Sequence, residues 1–208
     1  MRQTFEQIFA TRDWLLADGA TGTNLFHAGL ETGNPPELWN VEYPNRVNTL
    51  HASFIAAGAN IILTNSFGGT SFRLKLHQAE NSVNALNLAA ARLARQAADA
   101  SDKPVLVAGS MGPTGELFQP LGALTADAAE KAFAEQAFAL AEGGADLLWI
   151  ETMSSLEEVE AAVKGARRTN LPVAATMTFD TAGRTMMGVT PAAYTKFATS
   201  LGLDAFGA

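Results

Sequence analysis

Four polar side chains stand close behind apolar runs of the sequence, and their types suit the binding of a small polar ligand. Asp18, Asn65 and Glu151 each directly follow an apolar run. Ser110 follows another such run after a single glycine. Inside a core these groups would be costly, whereas at the rim of a cleft they can bind a polar molecule. The two carboxylates would suit an ammonium group.

The segments behind the apolar runs are also rich in glycine: 18–24 (DGATGTN), 65–70 (NSFGGT) and 109–115 (GSMGPTG). Glycine allows backbone N–H groups to approach an anion closely. Carboxylates beside such N–H groups would suit an amino acid, whose ammonium would meet the carboxylates and whose carboxylate would meet the amides. The GxGxxG pattern is not matched, so the sequence does not indicate a dinucleotide site.

These residues are positioned by a regular alternation of apolar runs and amphipathic segments. Each run is short, continuously apolar and bounded by Gly, Pro, Asn or Asp, which is typical of strands buried on both faces of a parallel sheet. The segments between them carry apolar residues at helical spacing, and we interpret His51, within one of them, as a structural or surface residue. Six strands are predicted, at 14–17, 60–64, 104–108, 146–150, 172–177 and 203–208.

Strand–helix alternation leaves two architectures open, a doubly wound open sheet and a (β/α)₈ barrel. In both, the carboxyl ends of the strands line the ligand site. A barrel needs eight strands, and the sequence predicts about six. A doubly wound protein that binds another small anion therefore stays open at this point.

Composition excludes several classes of function. The net charge of −7 argues against nucleic acid, and the scattered basic residues form no patch for a membrane surface. No apolar run approaches the length of a bilayer span, and the N-terminus lacks the apolar core of a signal peptide, so we expect a cytoplasmic protein. The 208 residues contain no cysteine, which excludes disulfides and thiolate metal ligands from this chain.

Five segments, read together, resemble the homocysteine S-methyltransferase family. This family includes the homocysteine-binding part of cobalamin-dependent methionine synthase and betaine–homocysteine methyltransferase. The resemblance runs along the whole chain in order, which makes it more specific than any single motif. The segments are DGATGTNL (18–25), ILTNSFGG (62–69), AGSMGPTG (108–115), DLLWIETMSSLEEVEAAV (146–163) and MTFDTAGRTMMG (177–188).

The resemblance implies a (β/α)₈ TIM barrel and an S-methyltransferase that uses zinc to hold the homocysteine sulfur as a thiolate. It implies that Asp18 and Glu151 bind the amino group of homocysteine, and that the loop beginning at Asp18-Gly19 helps to receive its carboxylate. Asn65 and Ser110 are expected as further contacts at the rim. No catalytic side chain and no metal ligand is expected among the 208 residues.

The zinc ligands of the family are three cysteines, and the first follows a Gly-x-Asn motif at the end of the sixth strand. This sequence ends in Phe206-Gly207-Ala208. We therefore expect residues 1–208 to form a homocysteine-binding barrel domain that is incomplete, with about six of eight strands, and that stops before its zinc ligands. A partner chain or a further C-terminal segment would have to supply them.

The methyl donor is expected to be a methylated corrinoid, betaine or S-methylmethionine. Aromatic residues that the family uses around betaine align with Gly68 and Thr152 here, which favours a corrinoid or folate-linked donor. A different class of function is a non-catalytic module that binds an amino acid, or serves in assembly, with the same fold and no metal.

Overall fold

The central element is a sheet of five parallel strands whose spatial order follows the sequence. The computed structural model describes residues 4–180 and 182–208, so Thr181 in the last of the five motifs lies outside the described residues. Consecutive order excludes the doubly wound arrangement, in which strand order reverses. The strands are β1 Ile61–Leu63, β2 Leu106–Met111, β3 Leu147–Met153, β4 Val173–Met177 and β5 Ala205–Gly207.

Helices connect the strands and cover the sheet. The side chains of Thr125, Ser155 and Thr190 each accept a hydrogen bond from a backbone N–H in the first turn of the helix that follows, which fixes where α7, α8 and α9 begin. The helices are α1 Phe5–Phe9, α2 Thr21–His27, α3 Trp39–Glu42, α4 Pro44–Ala56, α5 Ser71–Lys75, α6 Val83–Asp99, α7 Ala126–Glu142, α8 Leu156–Arg167 and α9 Pro191–Leu201.

Both faces of the sheet are largely buried in β2 to β4, as the apolar runs predict, whereas the predicted burial is wrong for β5, where Phe206 is 41% exposed. In β3, Leu148 and Ile150 pack towards the helices that surround the sheet, whereas Leu147 and Trp149 pack on the other face. That second face is covered in part by Ile8 of α1. Side chains that alternate between two buried faces explain why the strands are continuously apolar.

The prediction of a buried strand at 14–17 is wrong. Trp14 is 69% exposed, and only Ala17 pairs with the sheet, through a single parallel bridge to Ile61. Apolar composition predicts a strand here, but the backbone hydrogen bonds to the sheet are confined to Leu16 and Asp18, on either side of that bridge. The described residues therefore form five strands and one bridge to their sheet instead of six strands.

Two of the predicted rim residues lie inside strands instead of after them. Ser110 belongs to β2 and Glu151 belongs to β3, because both strands continue beyond the apolar residues that predict them. Ser110 pairs with Trp149 in the neighbouring strand, whereas Glu151 lies in an irregularity of β3 between the paired residues Ile150 and Met153.

Candidate functional site

A cavity of about 790 Å³ opens at the carboxyl ends of the strands. In parallel α/β folds this end of the sheet is where ligands bind. The cavity brings together all five residues that the sequence singles out. They are Asp18, Gly19, Asn65, Ser110 and Glu151.

Asp18 is fixed at the cavity wall by its attachment to β1. Its N–H donates to the carbonyl of Ile61 (2.9 Å), and its Oδ2 accepts from the N–H of Leu63 (2.9 Å). The pKa of Asp18 is raised from 3.8 to about 7, mainly by burial and in smaller part by the charge of Glu151, while the hydrogen bond from Leu63 opposes the rise. An ammonium group in the cavity would offset this cost and would bind the ionised form.

Glu151 lines the cavity and lies in a bulge of β3. Ile150 pairs with Ala175 but Met153 pairs with Met177, so β3 contains one residue more than its neighbour between these pairs. Thr152, in this bulge, has a left-handed backbone conformation with φ of 62°. Such a conformation is rare in β-branched residues. Where it does occur, it is often close to a functional site.

The carboxylate of Glu151 is held by Ser110, whose Oγ donates to Glu151 Oε1 at 2.5 Å. Burial raises the pKa of Glu151, and this hydrogen bond opposes the rise. Ser110 is itself fixed by its neighbour in the sheet, because its N–H donates to Thr64 Oγ1 at 2.9 Å. Ser110 therefore orients the second carboxylate of the site.

Asn65 lines the cavity, but its side-chain amide is used within the protein. It donates to the carbonyl of Pro36 (2.8 Å) and to Asn40 Oδ1 (3.0 Å). Asn40 in turn donates to the backbone carbonyl of Asn65 at 2.8 Å. This reciprocal pair attaches the 35–40 segment to the end of β1 and so builds one wall of the cavity.

Gly19 leaves the wall open next to Asp18. A Cβ atom added at this position would lie 3.2 Å from the ring of Phe54, so the residue can carry no ordinary side chain without displacing that ring. The absence of a side chain therefore leaves room for Phe54, and Gly19 itself is an exposed residue of the cavity lining.

A comparison with family models decides the classification. The model described as homocysteine S-methyltransferase matches residues 15–208, which is most of the chain. The chain belongs to the homocysteine S-methyltransferase family. The resemblance that the five motifs predict is thereby confirmed.

Curated relatives of this family member are larger proteins. Methionine synthase of Mycobacterium tuberculosis is 32% identical over 210 residues, and that of Mycobacterium leprae is 31% identical over the same length. In each case the match covers 93% of this chain and 17% of the relative, so the chain spans about a sixth of the length of these proteins.

A solved structure has the same fold. The homocysteine methyltransferase MmuM from Escherichia coli, in its metallated form, superposes with a TM-score of 0.81 at 24% sequence identity. The match covers 96% of this chain and 75% of that one. The α/β arrangement of parallel strands in this chain is therefore similar to that in the crystal structure of MmuM.

The described residues do not provide a zinc site. Residues 4–180 and 182–208 contain no group of three or more His, Asp, Glu or Cys side chains placed to bind a metal, and the sequence has no cysteine. The donor set of these residues therefore does not fit the zinc that the family implies.

Three acidic or basic residues of the cavity are not singled out by the sequence: Glu37, Arg73 and His77. Glu37 is 4% exposed, and its Oε1 accepts from the N–H of Gly68 at 2.6 Å. Burial raises the pKa of Glu37, while the charges of Arg73 and His77 lower it. The four-residue spacing of Arg73 and His77 could have indicated two basic side chains on one side of a helix. No comparable pattern marks Glu37.

Among the described residues, no helix is long and apolar enough to cross a membrane.

Proposed function

We propose that this chain binds homocysteine in the cavity and forms the homocysteine-binding part of an S-methyltransferase that produces methionine. The observation that carries the proposal is the meeting of Asp18 and Glu151 in one cavity, where burial disfavours the charge of both. Membership of the homocysteine S-methyltransferase family supports the choice of amino acid.

In this proposal the ammonium group of homocysteine lies between the two carboxylates. Ser110 holds Glu151 in place, and the N–H of Leu63 holds Asp18. The backbone behind Asp18, from Gly19 onwards, receives the carboxylate of the amino acid. Asn65 acts through Asn40 and Pro36, because its amide is bonded to them, and it is a positioning residue.

The reaction moves one methyl group from the leaving atom of the donor to the attacking sulfur of homocysteine. The sulfur of homocysteine loses its proton and forms a bond to the methyl carbon. The bond between that carbon and the donor breaks, and its electron pair stays with the donor. A free thiol has a pKa of about 8.5, so deprotonation of the sulfur is a requirement at neutral pH.

Two wider expectations are part of this proposal. The first is that residues 1–208 belong to an eight-stranded barrel, which the likeness to MmuM supports. The second is that any zinc used by the protein is bound by ligands outside these residues, because the chain lacks cysteine. Beyond these two expectations, we expect the methyl donor to be a methylated corrinoid, betaine or S-methylmethionine.

Titration calorimetry with L-homocysteine tests the proposal. D18N and E151Q are expected to weaken binding by roughly tenfold or more each, because each removes a charge-assisted hydrogen bond to the ammonium group. D102N and E157Q are matched controls at exposed positions outside the cavity and should bind as the wild type does.

The ligand can be varied as well as the protein. N-acetyl-homocysteine lacks the ammonium group, so we expect its binding to be weak and insensitive to D18N and E151Q. If the wild type does not bind homocysteine, or binds both compounds equally, the proposal fails. Binding without methionine formation by the full-length protein would favour the non-catalytic module.

A further inference from the structure

The cavity contains a pair of basic side chains, Arg73 and His77, that the binding of homocysteine does not use. We propose that Arg73 and His77 form a subsite for a carboxylate group of the methyl donor. This inference rests on the proposed function, because it concerns the second substrate of the same reaction.

Both residues belong to the segment that follows β1. Arg73 lies in α5, and His77 lies in the turn behind it, where its N–H donates to the carbonyl of Leu74 at 2.9 Å. Both side chains line the cavity. Their spacing of four residues places them on the same side of this short helical segment.

The guanidinium of Arg73 is available for a ligand. Within residues 4–180 and 182–208, it forms no ion pair and no hydrogen bond, unlike Arg95 and Arg168, which pair with Asp146 and Glu130. A Cβ atom added to Gly115 would lie 3.1 Å from Arg73 Nη1, so the absence of a side chain at Gly115 makes room for the guanidinium.

The acidic and basic groups act on different parts of the cavity. Asp18 is bonded to β1 and Glu151 lies in β3, whereas Arg73 lies in α5 beside Gly115. The carboxylate and the ammonium of an amino acid are attached to the same carbon atom. A homocysteine held by Asp18 and Glu151 therefore keeps its carboxylate near these acids, and the basic pair remains for another molecule.

The size of the cavity permits a second molecule. A volume of about 790 Å³ lies in the range of sites that enclose drug-sized ligands, which are much larger than one amino acid. Phe67 and Trp149 also line the cavity and offer aromatic surface to a methylated onium group. A donor that combines an onium group with a carboxylate would match both features.

A structural role for Arg73 is the competing explanation. Arg73 would then serve only as a distant counter-charge to Glu37, whose carboxylate is already held by the N–H of Gly68. In that case, removal of the positive charge would change the stability of the protein and the binding of every ligand alike. It would not distinguish a donor with a carboxylate from one without.

The test compares donors that differ in the carboxylate. Betaine and choline carry the same trimethylammonium group, but only betaine has a carboxylate. Each is titrated by calorimetry without homocysteine, so that no turnover occurs. We expect the wild type to bind betaine roughly tenfold or more tightly than choline. R73Q should lose this difference, and R73K should retain part of it.

The matched control is K75Q, which removes an exposed positive charge from the same helix outside the cavity and should leave the difference unchanged. Methyltetrahydrofolate, titrated in the same way, separates the two sources of a carboxylate. If this donor alone binds and depends on Arg73, the subsite stands and its ligand is the glutamyl end of a folate.

Homocysteine is titrated into each variant as well. Unchanged homocysteine binding in R73Q, together with weaker donor binding, is the expected result. If R73Q instead weakens homocysteine and leaves the donors unaffected, Arg73 belongs to the amino acid site and the inference is overturned. Equal binding of betaine and choline, with no response of any donor to R73Q, also overturns it. Failure of the wild type to bind homocysteine would remove the proposed function itself.

Discussion

At the scale of single residues, the site depends on two carboxylates that the fold holds in an unfavourable environment. Burial raises the pKa of both Asp18 and Glu151. Hydrogen bonds from the protein lower each pKa but do not cancel the effect of burial. A bound cation would stabilise the ionised form of both carboxylates, so an ammonium group is a suitable ligand for this pair. A titratable pair in a cleft whose pKa values are raised is also typical of functional sites.

This arrangement predicts that the proposed binding of homocysteine depends on pH. In the proposal the ammonium group binds the ionised form of Asp18, whose pKa in the empty cavity is about 7. We expect the affinity to rise by up to about tenfold per unit as the pH increases towards 7, and to level off above it.

Calorimetric titrations between pH 5.5 and 8 would measure this dependence. The D18N variant is the control, because asparagine does not titrate and still offers an oxygen to the N–H of Leu63. Its weaker binding should vary less with pH than that of the wild type. An equal slope in both proteins would contradict the assignment of Asp18.

At the scale of elements, β1, β3 and β5 begin with the same short sequence pattern and the same side-chain hydrogen bond. Three segments read glycine, an apolar residue, Asn or Asp, and an apolar residue, at 58–61, 144–147 and 202–205. Their glycines all have positive φ and follow a helix. The side chains of Asn60, Asp146 and Asp204 accept from the N–H groups of Leu16, Val107 and Val173, respectively, in the preceding strand or run.

This hydrogen bond fixes the register of consecutive parallel strands from their beginning. At the amino end of the sheet, the neighbouring strand offers no backbone carbonyl to these N–H groups. The side-chain oxygen of Asn or Asp accepts the hydrogen bond instead. The pattern is visible in the sequence, but three polar residues at the starts of strands predict only turns. Their role appears once the previous strand is known to be the neighbour in space.

Asp146 offers the clearest test of this hydrogen bond. Its Oδ2 accepts from the N–H of Val107 (2.7 Å) and from Arg95 Nη1 (2.8 Å). D146A leaves both donors without this acceptor and is expected to lower the free energy of unfolding by roughly 3 kcal/mol. Chemical denaturation of the purified protein would measure the change.

The control for D146A is D99A. Asp99 also pairs with Arg95, but its side chain is 63% exposed, so its removal should cost less than about 1 kcal/mol. Equal losses in the two variants would show that the bond to Val107 adds nothing.

At the scale of the whole molecule, the consecutive parallel sheet explains why residues far apart in sequence meet. Asp18 and Glu151 come together because each stands at the carboxyl end of a paired segment, and this juxtaposition could be predicted from the strand pattern alone. The positions of Glu37, Arg73 and His77 could not, because they lie outside the strands, where local sequence does not determine the direction of a side chain. The exposure of Trp14 could not be predicted either, because burial depends on what packs against a residue.

The stability of the whole molecule should reflect its buried histidine. His51 in α4 is 1% exposed, and among the described residues neither ring nitrogen has a hydrogen-bond partner. Burial lowers its pKa from 6.5 to about 4. The unfolded chain thus binds a proton between these values that the folded protein does not, so this residue destabilises the fold as the pH falls through that range.

We expect His51 to reduce the free energy of unfolding by roughly 2 kcal/mol at pH 5 compared with pH 8. Asp18 acts in the opposite direction, because its raised pKa favours the folded state at low pH. The comparison is therefore made between variants at both values. H51Q should remove the contribution of this residue. Identical dependence in H51Q and the wild type would contradict the burial of His51.

The most direct measurement is a crystal structure of the protein with L-homocysteine bound. We expect the ligand nitrogen to lie within about 3.2 Å of a carboxylate oxygen of Asp18 and of Glu151. The ligand carboxylate should face the backbone behind Asp18, away from Arg73. An amino group bound elsewhere in the cavity, or a ligand carboxylate seated on Arg73 and His77, would contradict this account of the site.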